Sequence, residues 1–517
     1  MNMPRATCPL LVFPLLVVGC STAPDAVDPG GAPCDGAASC HDEAPPEAFC
    51  LERLAADVLE DGCGVFVAGL FGSGDDANPG TREKPLRTLQ RGIELARTGR
   101  GRVFACYDGF FGPIALPSGV DLLGGYDCIN GWGRLAGVRT IVQHEEVSRR
   151  HEFVLTVEPA SAGDSGAADG ISTIADVDFF AQSPIAIMVR SDTAVELTRS
   201  WIRSYYGIGG EPGEGWPGLN RAPDGAHGKY GGDACSAETV VGGPAIVNPC
   251  DGGLPSVSGK GGDGLPSGAE DGGDGAPRPM SAPAYSGGGG AGDPPGMGCH
   301  NGHFGSYGTP GTAGAAGQGI GRITETGWEG DQGGDGTRGM PGQGGGGGGG
   351  RRGGLSACGV ASRGGAGGGS GGAGGCGGRG GRGGGNGHPS IGIVALHARL
   401  AVRDITIETN DAGPGGEGGR PEQGGRPGRG APGGAVGDGT YGCEGGNGGD
   451  GGDGGYGGPG RGADSIGIAY LDEDQLTMEG VSFELGPPGK GGISWDWEGN
   501  MFSGEDGAAV ETLRFPE

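Results

Sequence analysis

A short pattern of alternating apolar and polar residues recurs three times along the chain, and each copy opens into a glycine-rich stretch. Side chains of a β-strand point alternately to its two faces, so this alternation predicts strands with one buried face. Units this short cannot bury their own apolar faces, which favours stacking of the copies as turns of a solenoid. The predicted strands lie at 184–187, 195–197 and 201–202, at 390–393, 400–402 and 405–407, and at 465–468, 476–478 and 481–483.

Earlier in the chain, apolar residues follow the spacing of a helix. Leu86, Leu89, Ile93 and Ala96 share one helical face, and Pro85 suits the first turn. We therefore predict an amphipathic helix that begins at Pro85 and stops at Gly99. Short strands are predicted around it, at 65–67, 103–106, 114–116, 120–123, 140–142 and 153–155.

Glycine divides the chain into segments. Of 517 residues, 131 are Gly and 37 are Pro, a share typical of low complexity. The glycine is concentrated between the predicted strands, so a packed core is expected only outside those stretches. The predicted organisation is a signal peptide (1–19), a flexible tether (20–48), an N-terminal folded part (49–206), a glycine-rich insertion (207–389), one coil (390–410), a second insertion (411–464), another coil (465–485) and a C-terminal segment (486–517).

Two glycine tracts, 371–382 and 445–456, repeat the triplet Gly-Gly-X. Three residues per turn is the period of an extended polyproline-II-type helix, and glycine chains of this kind can pack closely because they lack Cβ atoms. Arg379 and Arg382 in the first tract could attract Asp450 and Asp453 in the second. A flexible coil is the alternative, because ordering glycine costs more backbone entropy than ordering any other residue.

The N-terminus has the features of an export signal. Arg5 precedes an apolar run from Pro9 to Val18, which is too short to span a membrane. The run ends in Val17-Val18-Gly19-Cys20, which resembles a bacterial lipobox, so we expect cleavage before Cys20 and lipidation of its thiol. The serine that follows resembles the outer-membrane sorting signal of Gram-negative bacteria. A plain signal peptide with a chance cysteine is the alternative.

Cysteine usage agrees with export. Of 14 cysteines, Cys8 would leave with the signal and Cys20 would be acylated, so an even number remains. In an oxidising compartment this predicts disulfides, although spacing does not fix the connectivity. A zinc site is the alternative, but no paired CxxC spacing occurs. Close pairs are natural candidates, namely Cys34/Cys40, Cys50/Cys63 and Cys235/Cys250, and Cys376 and Cys443 are further candidates.

The formal charge is −28, so a nucleic-acid partner is not expected because phosphates would be repelled. The acidity suits a solvated surface and leaves weak calcium binding open, with no other cofactor indicated. Cys299-His300 with His303 offers soft metal ligands, but without a second ligand cluster we interpret it as a loop feature. We therefore predict no metal site.

The run 72–126, which contains NPGTREKPLRTLQRGIELA and VFACYDGFFGPIALPSGVDLLGGYD, resembles the opening of right-handed parallel β-helix proteins of the pectate-lyase-like superfamily. The resemblance implies an all-β fold of stacked coils with the amphipathic helix covering the first. Long glycine-rich excursions on such coils look like bacterial envelope proteins described as PGRS-type. In that family Cys106 and Cys128 would be about one coil apart, which implies a disulfide between neighbouring turns. Free thiols, or pairing with Cys50 or Cys63, are the alternatives.

Fold resemblance does not establish function. Carbohydrate-active members of the superfamily use clustered acids, and Asp176, Asp178 and Asp404 lie in rung-like positions, with Asp472-Glu473-Asp474 in a turn. The polygalacturonase-type signature and any pectate-lyase motif are absent, so we interpret these carboxylates as solvated and predict no catalytic or cofactor-binding residue.

The favoured function is therefore a non-enzymatic surface lipoprotein with a structural or adhesive role. It would be held to the outer membrane by its lipid and would bind an unknown surface, glycan or protein. The alternative is an exported polysaccharide lyase or glycoside hydrolase. A third hypothesis, by analogy with glycine-rich antifreeze proteins, is that the Gly-Gly-X tracts bind ice or another ordered surface.

Overall fold

The computed structural model describes residues 45–516, apart from 70–71, 145–152, 162–169, 217–219, 281, 294–297 and 438. The predicted signal peptide, Cys20, the pair Cys34/Cys40 and most of the predicted tether lie outside the described residues. The helices are α1 (Glu47–Ala55), α2 (Leu89–Arg97), α3 (Leu355–Cys358) and one 3-10 turn (Glu473–Gln475).

Most regular structure is β. In chain order, the strands are β1 (Val65–Val67), β2 (Arg102–Cys106), β3 (Gly109–Gly112), β4 (Ile114–Pro117), β5 (Asp121–Asp127), β6 (Gly133–Arg134), β7 (Thr140–His144), β8 (Leu155–Glu158), β9 (Ile171–Ala175), β10 (Val177–Phe180), β11 (Ile185–Val189), β12 (Ala194–Thr198), β13 (Trp201–Arg203), β14 (Val247–Asn248), β15 (Ser256–Val257), β16 (Arg322–Thr324), β17 (Gly327–Glu329), β18 (Ser390–Ala395), β19 (Arg399–Arg403), β20 (Thr406–Glu408), β21 (Ser465–Tyr470), β22 (Leu476–Glu479), β23 (Ser482–Glu484), β24 (Ile493–Trp495), β25 (Met501–Ser503) and β26 (Ala509–Arg514).

Three sheets of mostly parallel strands organise the chain. Sheet A has the order β1-β2-β5-β9-β12-β19-β22, with β6 antiparallel to β5. Sheet B has the order β23-β20-β13-β10-β7-β3, and sheet C has the order β26-β21-β18-β11-β8-β4. From β2 onward these strands follow one another from A to B to C and back to A, so each circuit of the chain adds one strand to every sheet. The predicted all-β class and the stacking of the repeated copies are confirmed at this level.

The register shows how the repeated copies stack. In sheet C, Ile185 pairs with Ile391, Ile391 with Ile466, and Ile466 with Val510. The last partner belongs to β26, a strand that sequence analysis missed because AVETLR does not alternate cleanly between apolar and polar residues. The period-two pattern thus predicted β11, β18 and β21, and the strand pairing adds β26 to the same stack.

The core lies between the sheets. In sheet A, Leu122, Ile174, Leu197 and Val402 are in register on successive strands, and all four are fully buried. The row continues to Met478 on β22, the last strand of that sheet, whose side chain is 44% exposed. Like residues on successive circuits therefore bury one another, which a single copy could not do.

Helix α2 begins later than predicted. Leu86 forms a parallel bridge with Val67 and extends the sheet instead of starting the helix. Thr88 is the N-cap, and its side chain accepts a hydrogen bond from the Arg91 amide, which fixes the start at Leu89. Leu89, Ile93 and Ala96 are buried in the main core, as the helical spacing predicted.

One residue in the left-handed conformation turns the chain from sheet A to sheet B on successive circuits. These residues are Asp176, Arg199, Asp404 and Gly480, with φ between 49° and 63°. The backbone amides of the first three bond to the next circuit, as in Arg199 to the Arg403 carbonyl at 3.1 Å. Asp176 and Asp404 therefore occupy corners, where aspartate is one of the few non-glycine residues that readily adopt the left-handed conformation.

The glycine-rich stretches leave the sheets at one common corner. They connect β13 to β18, β20 to β21, and β23 to β26, and each of these connections passes from sheet B to sheet C. Because the connected strands are stacked, the three insertions are stacked as well. Their long extended segments form what we call the glycine array, with segments 207–216, 220–231, 300–317, 333–350, 364–388, 412–434 and 442–463.

The glycine array is ordered by backbone hydrogen bonds with a period of three. Consecutive residues bond to three different neighbours: the amides of Ser370, Gly371 and Gly372 donate to the carbonyls of Lys229, Gly259 and Gly446 at 2.9–3.0 Å. The tracts therefore form packed, hydrogen-bonded extended chains and not a flexible coil. The tracts 371–382 and 445–456 are direct neighbours, joined for example by Gly378 N–H to the Gly452 carbonyl at 2.9 Å.

The charged residues of these tracts do not pair as expected. Arg379 lies beside Glu422, with Nε 3.7 Å from Oε2, and Arg382 forms an ion pair with Asp335. Adjacent backbones bring two segments together, but with three residues per turn their side chains point towards different neighbours. The expected attraction to Asp450 and Asp453 is therefore wrong.

Five disulfides lie among the described residues. Cys50 is joined to Cys63, and Cys106 to Cys128, with Cα atoms 5.4 and 5.3 Å apart. The proposed pair Cys235/Cys250 is wrong. The array places residues distant in sequence side by side, so the remaining bonds are Cys235–Cys358, Cys250–Cys376 and Cys299–Cys443. The five bonds indicate an oxidising, exported environment. No helix in the described part of the chain is long and apolar enough to span a bilayer.

Candidate functional site

A concave site lies where the three insertions meet. Trp216 belongs to the first insertion, Tyr456 to the second and Trp497 to the third, and together they line a cavity of about 300 Å³. We call it the Trp216 pocket. Its other lining side chains are mainly polar: Asn220, Arg420, Glu422, Gln423, Asp453 and Asp496.

Trp216 is held firmly by its neighbours. Its indole Nε1 donates a hydrogen bond to the Gly380 carbonyl at 3.2 Å. The Arg379 guanidinium lies 4.8 Å from the ring centroid, within the range of a cation–π contact. Arg379 is fixed in turn, since its amide donates to Glu422 Oε2 at 3.0 Å. The ring is therefore oriented before any ligand arrives.

Trp497 is presented at the tip of the β24–β25 hairpin. The Asp496 carboxylate accepts hydrogen bonds from the amides of Glu498 and Asn500 at 2.9 and 2.8 Å, and from the Asn500 side chain at 2.9 Å. The Asn500 side-chain bond is the main reason that the pKa of Asp496 is lowered. The ionised carboxylate therefore stabilises the turn at pH values above the ordinary pKa of an aspartate. That stabilisation is lost as the pH falls through the lowered pKa of Asp496. The Trp497 side chain is 63% exposed.

The polar groups of the pocket retain binding capacity. Asp453 accepts the Gly424 amide through Oδ1 at 2.7 Å, so its other carboxylate oxygen remains available. The Arg420 side chain forms no hydrogen bond or ion pair with any described residue. Tyr456 packs against Trp495, with ring centroids 5.9 Å apart. The pocket therefore combines apolar ring faces with donors and acceptors.

The surface continues from this pocket along segment 211–216. A cavity of about 320 Å³ shares Trp216 and Arg420 with the Trp216 pocket, and it shares Pro212 and Gly213 with a groove of about 940 Å³. Acidic residues dominate the larger groove: Glu211, Glu214, Glu329 and Asp331. We call this larger cavity the Glu211 groove.

Arg382 is the arginine that lines the Glu211 groove, and it is paired with Asp335. The Gly383 amide, together with Arg382, lowers the pKa of Asp335. A smaller cavity of about 90 Å³ lies beside the groove and shares Trp328 and His388 with it.

The carboxylates singled out in the sequence lie elsewhere and are not assembled into one site. Asp176 forms ion pairs with Arg134 and Arg199, in which Arg199 Nε and Nη2 lie 2.9 and 2.8 Å from its oxygens. Asp404 is exposed at the same corner, two circuits farther on, which places the two Cα atoms about 9.6 Å apart.

Asp178 is not a solvated side chain. It is 9% exposed, and its Oδ1 accepts the Trp201 amide at 2.7 Å and lies 3.3 Å from Arg139. Burial raises its pKa, and the Trp201 amide and Arg139 offset part of that effect. The interpretation of Asp178 as exposed is therefore wrong, because the residue lies inside β10 and bonds across to β13.

The remaining candidates do not form a metal site. Cys299 is held in a disulfide, which removes the thiol from the Cys299-His300-His303 set. Asp472 lies 2.9 Å from His397 Nδ1, and Glu473 and Asp474 are exposed in the adjoining turn. Among the described residues, no group of three His, Cys, Asp or Glu side chains is arranged to hold a metal ion.

Comparisons of the chain with protein-family models, curated proteins and solved structures found no match. Sequence analysis did not find the Trp216 pocket, because its residues come from three insertions and share no local pattern. The available signal was weak: a large aromatic side chain in a glycine-rich segment, as at Trp216 and Tyr456, has no local core to fill.

Asp176→Asn is expected to lower the free energy of unfolding by about 1–2 kcal/mol, because it removes the partner of two arginines in a partly buried ion pair. Asparagine accepts the left-handed conformation at this corner, so the loss would report charge and not backbone strain. Asp404→Asn, at an equivalent corner where the carboxylate has no ion-pair partner among the described residues, should change stability by less than about 0.5 kcal/mol. Urea denaturation of both variants tests this, and equal effects would contradict it.

Proposed function

We propose that this protein is a non-enzymatic binding or structural protein of the bacterial cell surface. In this proposal the three sheets form a right-handed parallel β-helix of the pectate-lyase-like type, with α2 covering its first coil. Lipid on Cys20 would hold the protein to the outer membrane. The glycine array is the observation that carries the functional part of the proposal.

The array is a rigid, extended platform. Its backbone is hydrogen-bonded to neighbours in several directions. The disulfides Cys235–Cys358 and Cys250–Cys376 brace the first insertion, and Cys299–Cys443 joins the first insertion to the second. Outward positions recur every third residue. Phe304 and Tyr307, for example, are 69% and 73% exposed on one segment, and on a three-residue period they share a face. Rigid display of exposed side chains suits adhesion, because little entropy is lost when a partner binds.

No observation specifically favours the enzyme alternative. Of the carboxylates expected on the rungs, Asp176 and Asp178 are ion-paired, which supports a structural role for both. A panel of neutral and acidic polysaccharides incubated with the mature protein should release neither reducing ends nor unsaturated products. Product formation that Asp176→Ala or Asp404→Ala abolishes would refute the non-enzymatic proposal.

Membrane attachment is tested separately. Wild-type protein expressed in a Gram-negative host is expected to partition into the detergent phase and to carry a lipid mass on its N-terminal cysteine. Cys20→Ala should move the protein to the aqueous phase, because one residue provides the acylation site. An unmodified N-terminus by intact-mass analysis, or unchanged partitioning of Cys20→Ala, would disprove lipidation.

A further inference from the structure

We propose that the Trp216 pocket and the surface leading from it to the Glu211 groove bind a neutral oligosaccharide. The inference rests on the proposed binding function and names the chemical class of its ligand. The pocket presents Trp216, Tyr456 and Trp497 beside amide, carboxylate and guanidinium groups. Sugar rings have apolar C–H faces and polar hydroxyl edges, so they match a site that pairs aromatic faces with planar hydrogen-bonding side chains.

The shape favours a chain over a single small molecule. The Trp216 pocket, the intermediate cavity and the Glu211 groove share lining residues in sequence along segment 211–216. At about 3.1 Å per residue, that segment alone is about 16 Å long. A compact cation in an aromatic cage would occupy only one end of this surface.

The charge selects among glycans. Four acidic residues line the Glu211 groove, and its arginine, Arg382, is already paired with Asp335. A polyuronate would bring further negative charge against these carboxylates and would be repelled. Neutral hydroxyls can instead donate hydrogen bonds to the same oxygens. The carboxylate oxygen of Asp453 not bonded to Gly424 offers an acceptor at the other end, and the Arg420 side chain, which has no partner among the described residues, offers a donor.

The site is also preorganised. Arg379 and the Gly380 carbonyl hold Trp216, and the Asp496 turn holds the hairpin that carries Trp497. Binding therefore requires little ordering of the aromatic side chains, which lowers the entropic cost of association.

The test is isothermal titration calorimetry of the folded mature protein with cellohexaose, xylohexaose, fully N-acetylated chitohexaose and oligogalacturonate. At least one neutral hexasaccharide is expected to bind, and oligogalacturonate is expected to bind at least about tenfold more weakly.

Trp497→Ala removes a ring that is mostly exposed, so the variant should fold and should bind the oligosaccharide about fivefold or more weakly. Arg420→Gln, at a side chain with no partner among the described residues, should also weaken binding. Tyr230→Ala is the matched control, since Tyr230 is 70% exposed on the first insertion but does not line the pocket, and it should leave the Kd unchanged.

Three results would overturn the inference: no binding of any neutral hexasaccharide, preferential binding of oligogalacturonate, or equal effects of Trp497→Ala and Tyr230→Ala. Analysis of the ligand after binding separates this inference from the proposed function. Recovery of an intact oligosaccharide supports both. Cleavage of a bound oligosaccharide would refute the non-enzymatic proposal while supporting the site, and absence of binding by a surface-exposed, inactive protein would refute the site alone.

Discussion

Gly371→Ala is expected to lower the free energy of unfolding by more than about 3 kcal/mol, the largest effect we expect from adding a single methyl group. A Cβ at this position would lie 1.9 Å from the Gly345 carbonyl oxygen and 2.5 Å from its carbon. Both atoms belong to the backbone of a neighbouring segment, so no side-chain rotation can relieve the overlap. The two segments would have to separate, which would break the hydrogen bonds that link them.

Gly268→Ala is the control for this prediction. It lies in the same insertion, no atom lies within 4 Å of a Cβ placed there, and its φ is not in the left-handed range. This variant should be neutral or slightly stabilising, because alanine reduces the entropy of the unfolded chain. Calorimetric melting and amide hydrogen exchange of 364–388 measure both variants. If Gly371→Ala behaved like Gly268→Ala, the tract would be a flexible coil in solution and the hydrogen-bonded array would be wrong.

Replacing both Cys299 and Cys443 by alanine is expected to destabilise the protein by up to about 5 kcal/mol in the chain-entropy model. The bond joins residues 144 positions apart and ties the first insertion to the second. Without it, the unfolded chain gains the entropy of a long open loop. The start of segment 300–317 would also lose its covalent link to segment 442–463, so faster hydrogen exchange is expected in both segments.

The short-loop disulfide provides the comparison. Cys50 and Cys63 are separated by 13 residues, for which the same model gives about 3 kcal/mol. Replacing that pair by alanines should lower the melting temperature less and should increase exchange mainly around α1. A larger fall in melting temperature for the Cys50/Cys63 variant would contradict the entropic explanation.

Much of the sheet architecture could be predicted from the sequence. The alternation at 184–187, 390–393 and 465–468 places Ile185, Ile391 and Ile466 in equivalent positions, and sheet C pairs them in that order. A buried face of a strand leaves a period-two signal wherever it is found. The start of α2 was placed too early because Leu86, which fits the helical spacing, is used by the sheet. Local periodicity cannot show whether a residue such as Leu86 belongs to the helix or to the neighbouring strand.

The candidate site could not be predicted in the same way. Trp216, Tyr456 and Trp497 are separated by hundreds of residues or by a complete circuit of the sheets, and the sequence around them shows no pattern common to all three. Their proximity follows from all three insertions leaving at the same corner. That corner is defined only when β13, β20 and β23 are paired in sheet B.

The sequence by itself determined the β class, the stacked copies, the two long glycine-rich insertions and the three-residue period of their tracts. These are properties of neighbouring residues, because backbone geometry converts spacing along the chain into a face or a period. Only the tertiary structure decided which glycine segments are neighbours and which distant cysteines are joined. It also decided which carboxylates pair with Arg379 and Arg382, and which aromatic rings line the same pocket. A glycine has no side chain with which to specify a partner, so the order of the segments is set by the sheets from which they emerge.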